Sequence, residues 1–141
     1  MSATAAGTLY TKADTEYAGQ AQRLIQIDDG TANNRASLSL NSSGAGAFDF
    51  LSGGASEAAL TAGTITAGTA AQLAAAYQAN DFALVANGGS PSSTSSGAIP
   101  TLNTLRLGTD TAGANDLFGH IARIGFWNGM RAPNVTLQSL T

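Results

Sequence analysis

A chain of 141 residues with 43% hydrophobic content is most simply one domain with room for a core. Only 11% of its residues are charged, the net charge is −3, and Lys12, Arg23, Arg35, Arg106, Arg123 and Arg131 are scattered along the sequence. A basic patch of the kind that neutralises phosphates is therefore excluded, and the absence of cysteine excludes disulfides, thiolate metal sites and thiol catalysis. No apolar run approaches the ~20 residues of a membrane-spanning helix. Met1–Gly7 has neither a basic start nor an apolar centre, so export by a secretory signal is not expected. Seventeen glycines with short alternating runs between them favour an all-β sandwich or barrel.

Gly7–Ala13 alternates and predicts a first strand, preceded by an N-terminal arm over residues 1–7. Ala21–Ile27 and Asn34–Leu40 predict a hairpin about the turn Asp28–Asn33, whose residues tolerate positive φ or bond their own backbone. A turn over Asn41–Gly46 leads to a strand over Ala47–Leu51, with Phe48 and Phe50 on one face. Gly53-Gly54 turns the chain into Glu57–Leu60. Residues 69–80 (TAAQLAAAYQAN) pose a conflict: alanine and glutamine make this the best intrinsic helix in the chain, yet Leu73, Ala75 and Tyr77 alternate. We read a hairpin, strand 72–78 and strand 82–87, with Ala79-Asn80-Asp81 as its turn. Ser90–Gly97 reads as a polar surface loop available for contacts. Leu102–Gly108 predicts a strand and Thr109–Asp116 a loop.

Leu117–Trp127 is the most apolar and aromatic run. Its apolar spacing of three, three and two fits neither a strict strand nor a helix. One β-bulge near Ala122-Arg123 lets Ile121, Ile124 and Phe126 share a face, which predicts a long, bulged core strand. Pro133–Thr141 predicts a short closing helix.

Three stretches, Asn80–Gly89 (NDFALVANGG), Leu105–Gly108 (LRLG) and Phe118–Trp127 (FGHIARIGFW), together resemble the concanavalin A-like/laminin G-like β-sandwich domains of tailed-bacteriophage and prophage virion proteins. The finish Leu137–Thr141 (LQSLT) and the turn Asp28–Arg35 (DDGTANNR) are similar to the same family. The resemblance implies a two-sheet antiparallel, jelly-roll-like sandwich with a short C-terminal helix, spanning residues 1–141 as one domain. It also implies a non-enzymatic structural protein of the virion, a capsid decoration protein or a head or tail fibre module. Such a protein is made in the bacterial host cytoplasm and contacts other virion proteins and its own copies. The alternative is a lectin-like module that binds host-surface glycan. Because Met1 lies barely before the first strand, the chain is either free-standing or an excised domain. Its shortness leaves an edge strand to be missing or supplied by a neighbouring subunit.

The candidate chemistry is sparse. Glycan hydrolysis needs two carboxyl groups flanking the scissile bond, and Glu16 and Glu57, the only glutamates, show no paired spacing. No G-x-S-x-G accompanies His120, which reads as structural. No cofactor is expected. Calcium is the one metal considered, with oxygen donors from Asp110, Asn115 and Asp116 or from Asp28 and Asp29; without EF-hand spacing these residues read first as turn formers. Tyr10, Tyr17, Tyr77 and Trp127 are the candidate sugar-stacking aromatics. Tyr77 and Trp127 lie in apolar runs and read as core or rim packing, so Tyr17, in the loop Asp14–Gln20, is the best surface candidate. Ser92, Ser93, Thr94 and Ser95 are the candidate interface residues.

Overall fold

The structure, a computed structural model, describes residues 5–17 and 19–141. Among them the chain forms β1 (Ala6–Ala13), β2 (Gln22–Asp28), β3 (Arg35–Leu40), β4 (Gly46–Ser52), β5 (Ala55–Ala62), β6 (Ala71–Gln78), β7 (Asp81–Ala86), β8 (Ser92–Thr94), β9 (Thr104–Leu107), β10 (Ile121–Asn128) and the helix α1 (Asn134–Leu140). Two five-stranded antiparallel sheets result, ordered β10-β1-β6-β7-β8 and β5-β4-β3-β2-β9. This is the all-β sandwich with a closing helix expected from the sequence.

The inward-facing residues of the two sheets alternate with outward ones and form one core. Its centre is aromatic: Phe50 of one sheet lies 5.2 Å, centroid to centroid, from both Tyr77 and Phe82 of the other. Phe48 adds an edge-on contact to Phe50 at 6.1 Å. Such pairs contribute about 0.5–1.5 kcal/mol each beyond the area they bury, so the two pairs made by Phe50 with Tyr77 and Phe82 fasten the sheets together.

The alanines of β6 explain why a good helical sequence is a strand. β6 lies between β1 and β7, with Leu73, Ala75 and Tyr77 in the main core. Ala74 and Ala76 face the other way and form, with Ala83, Val85, Tyr10 and Ala132, an apolar floor for Leu137 and Leu140 of α1. Small side chains there let a helix approach the sheet closely. Packing on both faces overrides helix propensity, which is a weak prior. Ala79 and Asn80 form the two-residue turn between the paired Gln78 and Asp81, and Asn80 takes φ 59°.

The expected bulge is present. β1 pairs Lys12 with Arg123 and then Ala13 with Ile121, so Ala122 is the extra residue. The strand is not a core strand over 117–127, however. It begins at Ile121 and lies at a sheet edge, because residues 117–120 belong to a loop that returns along Asp14–Glu16. Ile121 and Phe126 pack on the core, while Ile124, with no strand beyond it among the described residues, stays exposed.

Two more expectations change. Ser92–Thr94 is a short edge strand paired to Leu84, Ala83 and Phe82, where a loop was expected. Only Ser95 of the four interface candidates lies outside it. The N-terminal arm divides: Ala6 and Gly7 belong to β1, and Met1–Thr4 lie outside the described residues. The outer face of the β5–β9 sheet carries polar residues in place of a helix. Buried Asp28 accepts from Arg106 Nε at 2.8 Å, Gln26 Nε2 at 2.9 Å and the Gly30 N–H at 2.8 Å.

Candidate glycan-binding clefts

At one end of the sandwich, the segment after β1 and the segment before β10 run side by side. The Asp14 N–H donates to the His120 carbonyl at 2.9 Å and the Glu16 N–H to the Phe118 carbonyl at 2.7 Å, which continues the β1–β10 ladder past the bulge. Gly119 makes this approach possible. A Cβ there would meet the Asp14 and Thr15 backbone, with Thr15 Cα 2.8 Å away. His120 is exposed on this ladder. Its N–H donates to Asp14 Oδ1 at 2.9 Å, and its Nδ1 lies 3.1 Å from the same oxygen. The hydrogen bonds from His120 hold the Asp14 carboxyl below its ordinary pKa.

A buried amide locks the two segments. Gln22, at the start of β2, accepts the Phe118 N–H on Oε1 at 2.9 Å and donates from Nε2 to the Tyr17 carbonyl. The Thr15 hydroxyl lies 2.9 Å from Gln22 Oε1 and 2.8 Å from the Tyr17 carbonyl, and it accepts the Tyr17 N–H at 3.2 Å. The backbone of Tyr17 and that of Phe118 are thus fixed from beneath. Their side chains project into solvent, 58% and 56% exposed, on either side of a cleft of about 210 Å³ that Gln20 also lines.

The cleft continues over Gln20, Ala21, Asn115 and Asp116. Beyond Ala21 and Asn115 it meets a second hollow of about 190 Å³ on the sheet's outer face, lined by Arg23, Ser39, Asn41, Asp49 and Thr61 among others. Arg23 Nη1 donates to Ser37 Oγ at 2.9 Å and lies 3.9 Å from Asp49 Oδ2. Burial lowers the pKa of its guanidinium, the nearby Arg35 adds to that, and Asp49 and Asp110 oppose it. The arrangement offers what sugars need: exposed ring faces for C–H surfaces, with amide, carboxylate, hydroxyl and guanidinium groups within one continuous groove.

The sequence-level candidates fall into place unevenly. Tyr17 is the exposed loop aromatic it was expected to be. Phe118 and Gln22 carry no sequence signal for this role, because Phe118 falls in a run that reads as a strand and a single glutamine forms no motif. Tyr77 is fully buried, Tyr10 lies beneath α1, and Trp127 is 37% exposed on the edge strand. Asp110 is occupied by its own loop: Oδ1 accepts from the Ala112 and Ala114 N–H groups and Oδ2 from Asn115 Nδ2 at 2.7 Å. Desolvation is the largest single effect and raises its pKa, but these bonds and the charge of Arg23 together outweigh it and lower the pKa. Asp29 is held the same way by Thr31 and Asn34. Such carboxylates shape turns, and among the described residues no three of His, Cys, Asp and Glu gather as a metal site. The donor set does not fit calcium, which takes about 6–8 oxygens.

Neither a protein-family model nor a curated protein matches the chain. Solved structures do. The CBM40 module of the Ruminococcus gnavus IT-sialidase, bound to α2,3-sialyllactose, superposes with TM-score 0.81 at 18% identity, over 96% of this chain and 82% of that one. The fold is that of a concanavalin A-like sandwich. A SAP-like pentraxin from Limulus polyphemus matches over 97% of this chain and 69% of its own, with TM-score 0.67 and 13% identity. The NanB sialidase of Streptococcus pneumoniae matches at TM-score 0.74 and 13% identity, and this chain spans about a quarter of that enzyme. At such identities the shared property is the fold.

Proposed function

We propose that the chain is a non-catalytic glycan-binding module whose ligand lies across the Tyr17–Phe118 cleft and runs over Asn115 towards Arg23. The observation that carries this reading is the pair of half-exposed aromatic rings, whose backbone the buried Gln22 amide holds, flanked by Gln20, Asn115 and Asp116. A ring whose backbone is already fixed gives up less conformational entropy when a sugar stacks on it. The likeness to modules bound to α2,3- and α2,6-sialyllactose supports the reading and makes these trisaccharides the first ligands to test. The carboxylates give no support to hydrolysis, since Glu57 of β5 accepts the Ala98 N–H and, among the described residues, no hydrogen bond or ion pair joins either glutamate to a second carboxylate.

The test is a glycan array followed by calorimetry. Selective binding is expected, weakened about tenfold or more in Tyr17→Ala and in Phe118→Ala, the effect of losing a stacking surface. A flat array, or affinity indifferent to both substitutions, overturns the proposal. A structural place on a phage particle rests on the sequence resemblance alone. Its test is whether purified particles contain the protein at stoichiometric level.

A further inference from the structure

The outer face of the β10–β1–β6 strands carries a second, separate cleft. Cross-strand pairing sets Arg123, Lys12 and Gln72 side by side, and two residues along sets Gly125, Tyr10 and Ala74 side by side. Trp127 lies two residues further along β10. A Cβ on Gly125 would come within 2.6 Å of Trp127 Cη2 and 2.8 Å of Cζ3. The indole therefore folds back along its own strand and rests on bare backbone, with one face supported and the residue 37% exposed. Between this ring and the end of α1 lies a cleft of about 420 Å³, lined by Tyr10, Gln72, Arg123, Trp127 and Leu140 among others.

The polar groups in and beside the cleft divide into engaged and free, with Lys12 flanking it as the cross-strand neighbour of Arg123. Tyr10 Oη donates to Gln72 Oε1 at 2.7 Å, and Gln72 Nε2 donates to the Thr141 carbonyl at 2.9 Å. These two are locked, with the Tyr10 oxygen left as an acceptor. Lys12 and Arg123 are exposed and, among the described residues, neither has an ion pair or a hydrogen bond from its side chain. Like charges directly opposite each other on neighbouring strands disfavour the fold. Two of the chain's six cations are nonetheless placed so, in a protein of net charge −3.

We infer that this cleft binds a pyranose bearing an anionic substituent, carboxylate or sulfate. The ring stacks on Trp127 and the anion sits between Lys12 and Arg123. The two rows of residues are about 7 Å apart along the strands, the span of a substituted pyranose. The inference extends the glycan reading to a second site on the opposite sheet, and it rests on that reading only for the ligand class.

Trp127 is the only tryptophan, so its emission reports on this cleft alone. Titration with sialyllactose, a glucuronic acid-terminated disaccharide and sulfated lactose distinguishes carboxylate from sulfate, with lactose as the neutral control. A saturable change in emission is expected with at least one anionic sugar and not with lactose. It should persist in Tyr17→Ala and weaken about tenfold in Lys12→Ala or Arg123→Ala, as expected for a lost charged hydrogen bond. Both substitutions are at exposed side chains and leave the reporter in place. Heat of binding with flat emission, or affinity unchanged in both cation variants, overturns this site and leaves the Tyr17–Phe118 reading standing. Absence of both heat and emission change with every anionic sugar overturns this site, whereas the Tyr17–Phe118 reading falls only with a flat array or with affinity indifferent to both aromatic substitutions.

Discussion

Replacing Gln22 with leucine tests whether one buried amide holds the aromatic cleft together. Leucine keeps most of the volume and removes one acceptor and one donor. The Thr15 hydroxyl, 2.8 Å from the Tyr17 carbonyl, can still satisfy that oxygen. The Phe118 N–H has no such substitute, because Gln22 Oε1 is its partner at 2.9 Å. A buried donor left alone costs about 1–3 kcal/mol, and the second lost bond adds about 1 kcal/mol. Burying leucine in place of an amide returns about 1–2 kcal/mol. The net expectation is a loss of about 2 kcal/mol. For a chain of this length the unfolding entropy is roughly 0.3 kcal/mol/K, so Tm should fall by about 7 °C. Calorimetric unfolding gives the first number, and sugar titration gives the second, a weaker affinity from a loosened Tyr17–Phe118 pair. A Tm within about 1 °C of the parent, with affinity unchanged, refutes the keystone role of Gln22.

Leu137→Ala should cost about 2–4 kcal/mol in urea unfolding, because a fully buried side chain leaves a cavity over the alanines of β6 and β7; a cost below 1 kcal/mol would mean that α1 is not docked as described. Tyr77→Phe should be neutral or stabilise by about 1 kcal/mol, since the buried Tyr77 hydroxyl finds no partner among the described residues. Burial also raises the Tyr77 pKa to about 12, so its contribution is intact below the usual value of 10 and is lost as pH rises towards 12. That share of the alkaline loss should vanish in the phenylalanine variant, and an identical alkaline profile would count against it. Hydrogen bonds lower the pKa of Asp14, Asp29 and Asp110 below 3.8. Their stabilisation is complete above that value and is lost only as pH falls beneath it. Urea midpoints should stay level from pH 7 to 5 in Asp14→Asn relative to parent and converge below pH 3; a gap that widens on acidification contradicts this.

Most of the fold was legible because alternation and turn chemistry are local. The hairpin about Asp28–Asn33, the paired phenylalanines of β4 and the extra residue at Ala122 all follow from side-chain spacing within a few residues. β6 was harder. Its composition favours a helix, and what decides the matter is a floor of alanines under Leu137, more than fifty residues away. The limits of the strand within Leu117–Trp127 differ from the expected ones for a related reason. An apolar run looks like core when its neighbours are unknown, but a strand at a sheet edge leaves Ile124 and Trp127 partly in solvent.

The sites were far less legible, because each is assembled by pairing over long sequence distances. Tyr17 and Phe118 meet only because the β1–β10 ladder continues past the bulge, and the amide that clamps them begins a strand of the other sheet. The cations show the point most clearly. In sequence Lys12 and Arg123 are scattered charges that argue against any basic patch, and for a polyanion that argument holds. In the sheet they are direct neighbours beside a supported indole. Two adjacent charges are too few to neutralise a phosphate backbone, yet they suffice for a single carboxylate or sulfate on a sugar. Low overall charge therefore argues against a polyanionic partner while leaving small acidic ligands open, and register alone separates the two cases.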